Sequence, residues 1–328
     1  MTPAAMSVFG LAFAIGAVGC GGGGVAGPGM GGAGGSGAGG APIVLASGER
    51  GAWNVAVHDG NVYWTNPESH KVMKVSAAGG APAAVVDATS TGLAPWDVAA
   101  DAGGVYWSYY SAAGSVMIAP AGGGAPVTLA RQQMGPRSIA VGGGNIYWLN
   151  LWTLGDGSGA VVAAPISGGG SSATLASAQD DPNDIAVDGA NVYWTNLGGT
   201  VMKMPVGGGA PVELASGQPG PQRIAVDAAN VYWTNTGSLE DTGAVMKVPI
   251  AGGTPGALAT GLKGPLGIAV DAAAVYWTDA TRVMSVPIGG GTPATIASGQ
   301  KQATDIALDA AGVYWTDTEA GTIMKLAR

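Results

Sequence analysis

The dipeptide Tyr-Trp occurs seven times, at Tyr63-Trp64, Tyr106-Trp107, Tyr147-Trp148, Tyr193-Trp194, Tyr232-Trp233, Tyr276-Trp277 and Tyr314-Trp315. Successive copies lie 43, 41, 46, 39, 44 and 38 residues apart. A unit of that size cannot bury an apolar face alone, so the period restricts the chain to architectures built by repetition. Each unit reads as four short β-branched runs, shown most cleanly by Ile185–Val187, Val192–Trp194, Val201–Met204 and Val212–Ala215. Asp188-Gly-Ala-Asn191 separates the first pair and Gly207-Gly-Gly-Ala-Pro211 the last, and both are hairpin signals. Four antiparallel strands in about 40 residues make a propeller blade.

The two ends of the repeat region complement each other. The last unit stops after its third run, Ile323–Leu326, while an orphan segment at 43–47, Ile-Val-Leu-Ala-Ser, matches the fourth run of other units, such as Leu214-Ala-Ser-Gly217. Joining the two completes a seventh blade and removes an exposed strand edge. The expectation is an all-β, seven-bladed propeller over residues 42–328, its ring closed by the N-terminal strand.

Composition supports a packed body and excludes several partners. Hydrophobic residues make up 47% of the 328 positions, enough for a large core, and the 60 glycines follow no three-residue period. Charged residues are only 10%, the net charge is −8, and no Lys/Arg cluster occurs. Nucleic-acid backbones and acidic membrane surfaces are therefore not expected as direct partners. A single cysteine, Cys20, rules out an intramolecular disulfide and a thiolate metal cluster in the folded body.

Cys20 has a different context. The apolar run Val8–Val18 is short for a membrane span and suits a signal-peptide core; it leads into Ala17-Val18-Gly19-Cys20. This resembles the lipobox of bacterial lipoproteins, although Ala17 stands where Leu is preferred and no charge precedes Glu49. The resemblance implies a signal peptide over 1–19, lipidation of Cys20 and an extracytoplasmic address. Gly21 after the cysteine is consistent with sorting to the outer membrane. Residues 20–41 are nearly all Gly and Ala. Such a coil spans roughly 25 Å and reads as a tether, so the membrane is met through the lipid alone.

Two copies, Tyr276-Trp-Thr-Asp279 and Tyr314-Trp-Thr-Asp317, resemble the YWTD motif of low-density-lipoprotein-receptor propellers, and Gly267-Ile-Ala-Val-Asp271 looks like the inner strand of NHL repeats. The likeness covers residues 42–328. Copies two and three depart from it, with Ser108-Tyr109 and Leu149-Asn150 following the Trp. YWTD rings usually close with six blades, which is the competing count, and the resemblance implies mostly binding functions.

Residues that recur in every copy read as framework. Adjacent Tyr and Trp on a strand point to opposite faces, so the seven pairs are expected to fill the cores between blades. Met73, Met117, Met202, Met246, Met284 and Met324 share one third-strand position and read as core filling. Asp59, Asp101, Asp188, Asp227, Asp271 and Asp309 sit in the first hairpin, where Asp stabilises turns. His58 and His70, the only histidines, read as solvated surface residues.

Function is expected where the copies differ. The two residues before each inner strand vary sharply: Trp53-Asn54, Trp96-Asp97, Arg137-Ser138, Asn183-Asp184, Gln222-Arg223, Leu266-Gly267 and Thr304-Asp305. They should ring the mouth of the central channel, where polar groups against aromatic walls would form a ligand site. Long loops between the second and third strands are expected to add Tyr109 and Tyr110 in blade 2, Trp152 and Asp156 in blade 3, and Glu240 and Asp241 in blade 5.

The expected function is noncatalytic binding or scaffolding of an envelope or extracellular protein or glycan by a monomeric module, without catalytic residues or an obligatory cofactor. The alternative is a metal-dependent hydrolase or lyase of the lactonase or streptogramin-lyase propeller type. In that reading Asp97, Asp184 and Asp305, with Asn54, hold Ca²⁺ through hard oxygen ligands.

Overall fold

A computed structural model of the chain describes residues 40–151, 157–168, 171–238 and 241–328. Residues 1–19, expected as a signal segment, Cys20, nearly all of the expected tether at 20–41, Trp152, Asp156 and Glu240 lie outside the described residues.

The described residues form seven four-stranded antiparallel sheets. Six consist of four consecutive strands; blade 4, for example, runs Pro182–Val187, Asn191–Asn196, Thr200–Pro205 and Val212–Ala215. The seventh combines Ala303–Asp309, Gly312–Asp317 and Thr322–Ala327 with Ile43–Ser47 as its outer strand. Closure places Ile43 opposite Lys325 and Ser47 opposite Thr322. The count is thus seven and not six, because the early strand completes a blade instead of standing apart.

Turn chemistry explains why the hairpins form. The Gly-rich connection in blade 4 carries two consecutive left-handed residues, Gly208 at φ 89° and Gly209 at φ 141°, and blade 6 repeats this at Gly290 and Gly291. A Cβ at those positions would strain the backbone. In the first hairpin the Asp188 carboxylate accepts the amides of Ala190 and Asn191 and the hydroxyl of Tyr193. The Asp227–Tyr232 pair does the same in blade 5. The recurrent Asp therefore caps a turn and satisfies a mostly buried phenol.

All seven Trp rings of the repeat are fully buried. Each lies in a cluster shared with the preceding blade: Trp194 with Tyr147, Trp233 with Tyr193, Trp277 with Tyr232, and Trp64 with Tyr314 across the closure. Alternation along the strand thus sends Tyr forward and Trp backward, and seven such clusters make seven seams. Full burial of rings this large contributes several kcal/mol each before entropic costs. The third-strand methionines are less deeply placed than expected: Met284 is buried, whereas the other five are half-buried.

The outermost strands carry a register shift at one recurring position, between Val201 and Met202 in blade 4 and between Val283 and Met284 in blade 6. A bulge at an edge bends the strand and discourages pairing with another chain.

Candidate functional site: the channel mouth

The variable pair lies at, or directly before, the start of each inner strand, and its two members have different tasks. The first members, Trp53, Trp96, Arg137, Asn183, Gln222, Leu266 and Thr304, come from all seven blades and line one cavity of about 70 Å³ together with Ser138 and Arg223. Of the second members, Asn54, Asp97, Asp184 and Asp305 bond to the neighbouring blade, while Ser138 and Arg223 also reach the cavity.

A hydroxyl relay sets this geometry. The amide of Asp184 donates to Thr195 Oγ1 at 3.2 Å, and that hydroxyl donates to the carbonyl of Gln222 in the next blade at 2.8 Å. The same two bonds recur from Asn54 through Thr65 to Trp96, and from Asp97 through Ser108 to Arg137. They recur again from Arg223 through Thr234 to Leu266, from Gly267 through Thr278 to Thr304, and from Asp305 through Thr316 to Trp53. The residue after each Tyr-Trp is therefore the tie that fixes each mouth residue against its neighbour. Ser108 keeps the tie; Leu149 in blade 3 cannot make it.

Carboxylates reinforce the ring. Asp97 Oδ2 accepts the amide of Ile139 at 2.8 Å, Asp184 Oδ2 that of Ile224 at 2.8 Å, and Asp305 Oδ2 that of Val55 at 2.9 Å. Each bond joins one blade to the next. At the seam left without a hydroxyl relay, Ser138 Oγ reaches Asp184 Oδ1 at 2.6 Å, and also Asp97 Oδ2 at 3.0 Å.

The Arg223 guanidinium contacts Asp184 Oδ1 at 3.4 Å and donates a short hydrogen bond to Asn54 Oδ1. Burial opposes its charge, but Asp305, Asp184 and Asp97 outweigh burial and hold it protonated above the ordinary range. Burial raises the Asp97 carboxyl to about 7; Arg223 opposes this and Asp184 adds to it. Burial likewise raises Asp305, against the pull of Arg223. Arg137 is lowered to about 10 by burial first and by Arg223 second.

This arrangement bears on the metal expectation. Among the described residues no three His, Cys, Asp or Glu side chains come together as a metal-binding group. Asp97, Asp184 and Asp305 are each taken up by a backbone amide of the following blade, and the cation among them is Arg223. In this arrangement the three carboxylates tie neighbouring blades together.

One sector of the mouth is aromatic. Trp53 and Trp96 lie 6.0 Å apart between centroids, Trp96 and Tyr110 5.2 Å apart, and the Arg137 guanidinium sits 5.8 Å from the Trp96 ring centre. All four are half-buried. Tyr109, expected on the loop with Tyr110, instead ends the strand Gly104–Tyr109, is 4% exposed and meets Trp107 edge-on. Its side chain faces the blade core because it continues the strand alternation by one residue. The buried Asn54, Asp97, Asn183, Asp184 and Thr304 likewise support the rim more than they present it.

Sequence reasoning missed one further set of residues. A Gln fifteen positions before the Trp accepts its indole N–H: Gln179 from Trp194 at 2.8 Å, Gln218 from Trp233 at 3.1 Å and Gln300 from Trp315 at 2.8 Å. Glu49 does so for Trp64 at 3.1 Å. Blades 2 and 6 have Gly92 and Leu262 there, and the Nε1 atoms of Trp107 and Trp277 are buried without a partner. The constant spacing was the available signal.

The fold and mouth define the class: a seven-bladed β-propeller. A chain of the nidogen/laminin complex matches with TM-score 0.58 and 20% identity, covering 75% of this chain and 97% of that one. The WD40 β-propeller domain of Doa1 matches with TM-score 0.70 and 11% identity, covering 87% and 95%. The computationally designed Ika8 protein matches with TM-score 0.60 and 13% identity, covering 87% and 98%. Identities this low establish shared architecture only. No protein-family model and no curated protein matches the chain.

Proposed function

We propose that this chain is a noncatalytic binding or scaffolding module of the bacterial envelope, anchored through Cys20 and engaging a protein or glycan surface with its channel mouth. The carrying observation is the half-exposed arc of Trp53, Trp96 and Tyr110 with Arg137 stacked on Trp96. Large aromatics and arginine held rigidly at a rim are the residues that dominate binding surfaces. The cavity beneath, about 70 Å³, is far below the several hundred Å³ that enclose a small-molecule ligand. Recognition therefore belongs to the rim and not to an enclosed pocket. The nidogen/laminin neighbour is a protein complex, which supports a protein partner. Sequence features support the address: the Ala17-Val18-Gly19-Cys20 site, the Gly-rich tether and the outer-membrane-compatible Gly21.

The test is affinity capture from envelope and extracellular extracts by the purified chain and by a Trp96→Ala/Arg137→Ala variant of matched thermal stability. The expected result is a discrete species retained by the wild type and lost by the variant. Equal retention by both would move the site elsewhere.

A further inference from the structure

Ser138 poses a counting problem. Its hydroxyl carries one hydrogen, yet Oγ lies 2.6 Å from Asp184 Oδ1 and 3.0 Å from Asp97 Oδ2. All three side chains are buried. A hydroxyl flanked by two ionised carboxylates can satisfy only one of them, and the other is left facing an oxygen lone pair. The contradiction is removed if one carboxyl carries a proton, donates it to Ser138 Oγ, and Ser138 donates onward to the second carboxylate. The chain then runs unbroken from blade 2 through blade 3 to blade 4, across the seam where Leu149 leaves no hydroxyl relay.

We propose that Asp97, Ser138 and Asp184 hold one proton beyond the serine's own hydroxyl hydrogen, forming a pH-sensitive latch beneath the channel mouth. Asp97 is the proton's site. Its Oδ1 accepts the Val98 amide; its Oδ2, once protonated, donates toward Ser138 Oγ while its remaining lone pair faces the Ile139 amide. Asp184 is the acceptor, since its Oδ1 also faces Arg223 and its Oδ2 takes the Ile224 amide. The charged groups acting on Asp97 are Arg223, Asp184 and Asp305, and Arg137 stands beside Ser138 in the chain. Their balance places Asp97 at about 7, in agreement with the hydrogen count. When the proton leaves, the Ser138 hydroxyl serves one carboxylate only, and Asp97 and Asp184 repel one another. Trp96 precedes Asp97, and Arg137 precedes Ser138, so the change is transmitted to the rim by direct chain connection. That last link rests on the proposed binding role of the mouth; the latch itself does not.

Carboxyl ¹³C NMR of the full chain labelled at aspartate, followed from acid to alkaline pH, tests it. The expected result is one aspartate resonance that titrates near neutrality, about 2 or more pH units above ordinary aspartates. It is absent from Asp97→Asn and displaced in Ser138→Ala, which keeps both carboxyls and covers the case in which Asp97→Asn does not fold. Titration of every aspartate below about pH 5 would overturn the proposal. So would a neutral midpoint unaltered in Ser138→Ala, which would mean the proton is not shared through Ser138. Neither readout depends on whether the mouth captures a partner.

Discussion

The Thr316 hydroxyl of blade 7 donates to the backbone carbonyl of Trp53 in blade 1 at 2.8 Å. With the Asp305 amide bonded to the same hydroxyl, this side chain ties blade 7 to blade 1 and positions a rim aromatic.

Replacing that hydroxyl tests the relay. Thr316→Val keeps shape but leaves the Asp305 amide and the Trp53 carbonyl each without a partner. The expected cost is about 1–3 kcal/mol in chemical denaturation, with an unchanged slope. A cost near zero would mean the seam is held by side-chain packing alone.

The Gln–Trp contact offers a change in the opposite direction. Leu262 pairs with Gly243 in blade 5 as Gln179 pairs with Gly159 in blade 3, so residue 262 stands where a glutamine would meet Trp277 Nε1. Leu262→Gln is expected to stabilise by about 1 kcal/mol, and Gln179→Leu to destabilise by about 1–3 kcal/mol. Thermal midpoints of the two variants, moving in opposite senses, are the check.

The nine described tryptophans fall into framework and rim classes. Trp194 is fully buried between blades 3 and 4, so Trp194→Ala should cost about 3–5 kcal/mol. Trp96 is half-exposed at the mouth, so Trp96→Ala should cost less than about 1.5 kcal/mol. Equal losses in denaturation would mean that Trp96 is framework too.

Stability should depend on pH through two sets of carboxyls with opposite signs. Asp97 lies at about 7 in the fold, against about 3.9 in an unfolded chain. The native state therefore binds the extra proton between these values. Stability from this group is complete below about pH 4 and is lost as pH rises through about 7. Asp305, also raised, acts in the same sense. Burial raises Asp188, Asp227 and Asp271 as well, but hydrogen bonds from turn amides and from Tyr193, Tyr232 and Arg328 outweigh it and leave them low. Their contribution is present above about pH 4 and is lost as pH falls below it. The melting temperature should peak at mildly acidic pH and decline toward about pH 8, and Asp97→Asn should flatten that decline. A wild-type profile level from about pH 5 to 8 would contradict this.

The architecture was legible because it repeats. Seven Tyr-Trp pairs, paired glycines at hairpins and an orphan strand at 43–47 fix strand number and closure without any tertiary knowledge. The rim was half legible. Variation between copies pointed to Trp53, Trp96 and Arg137, but the partner of each second residue lies in another blade. Arg223 meets Asp184 39 residues away and Asn54 169 residues away, and no local pattern reports such contacts. The Thr that follows the repeat Trp in five blades belongs to the Tyr-Trp-Thr motif, yet its bond to the next blade depends on strand twist and seam width. The long connection between the second and third strands of blade 2 suggests a loop position for Tyr109, although the strand alternation continues through it.

The central claim is that the channel mouth, and not the opposite face, meets a partner. A photo-cross-linking amino acid placed at Trp96, and in a parallel chain at Gly189 in the first hairpin of blade 4, tests it in living cells. The account predicts a discrete adduct from position 96 and none from position 189. No adduct from 96, or the same adduct from both positions, would contradict it.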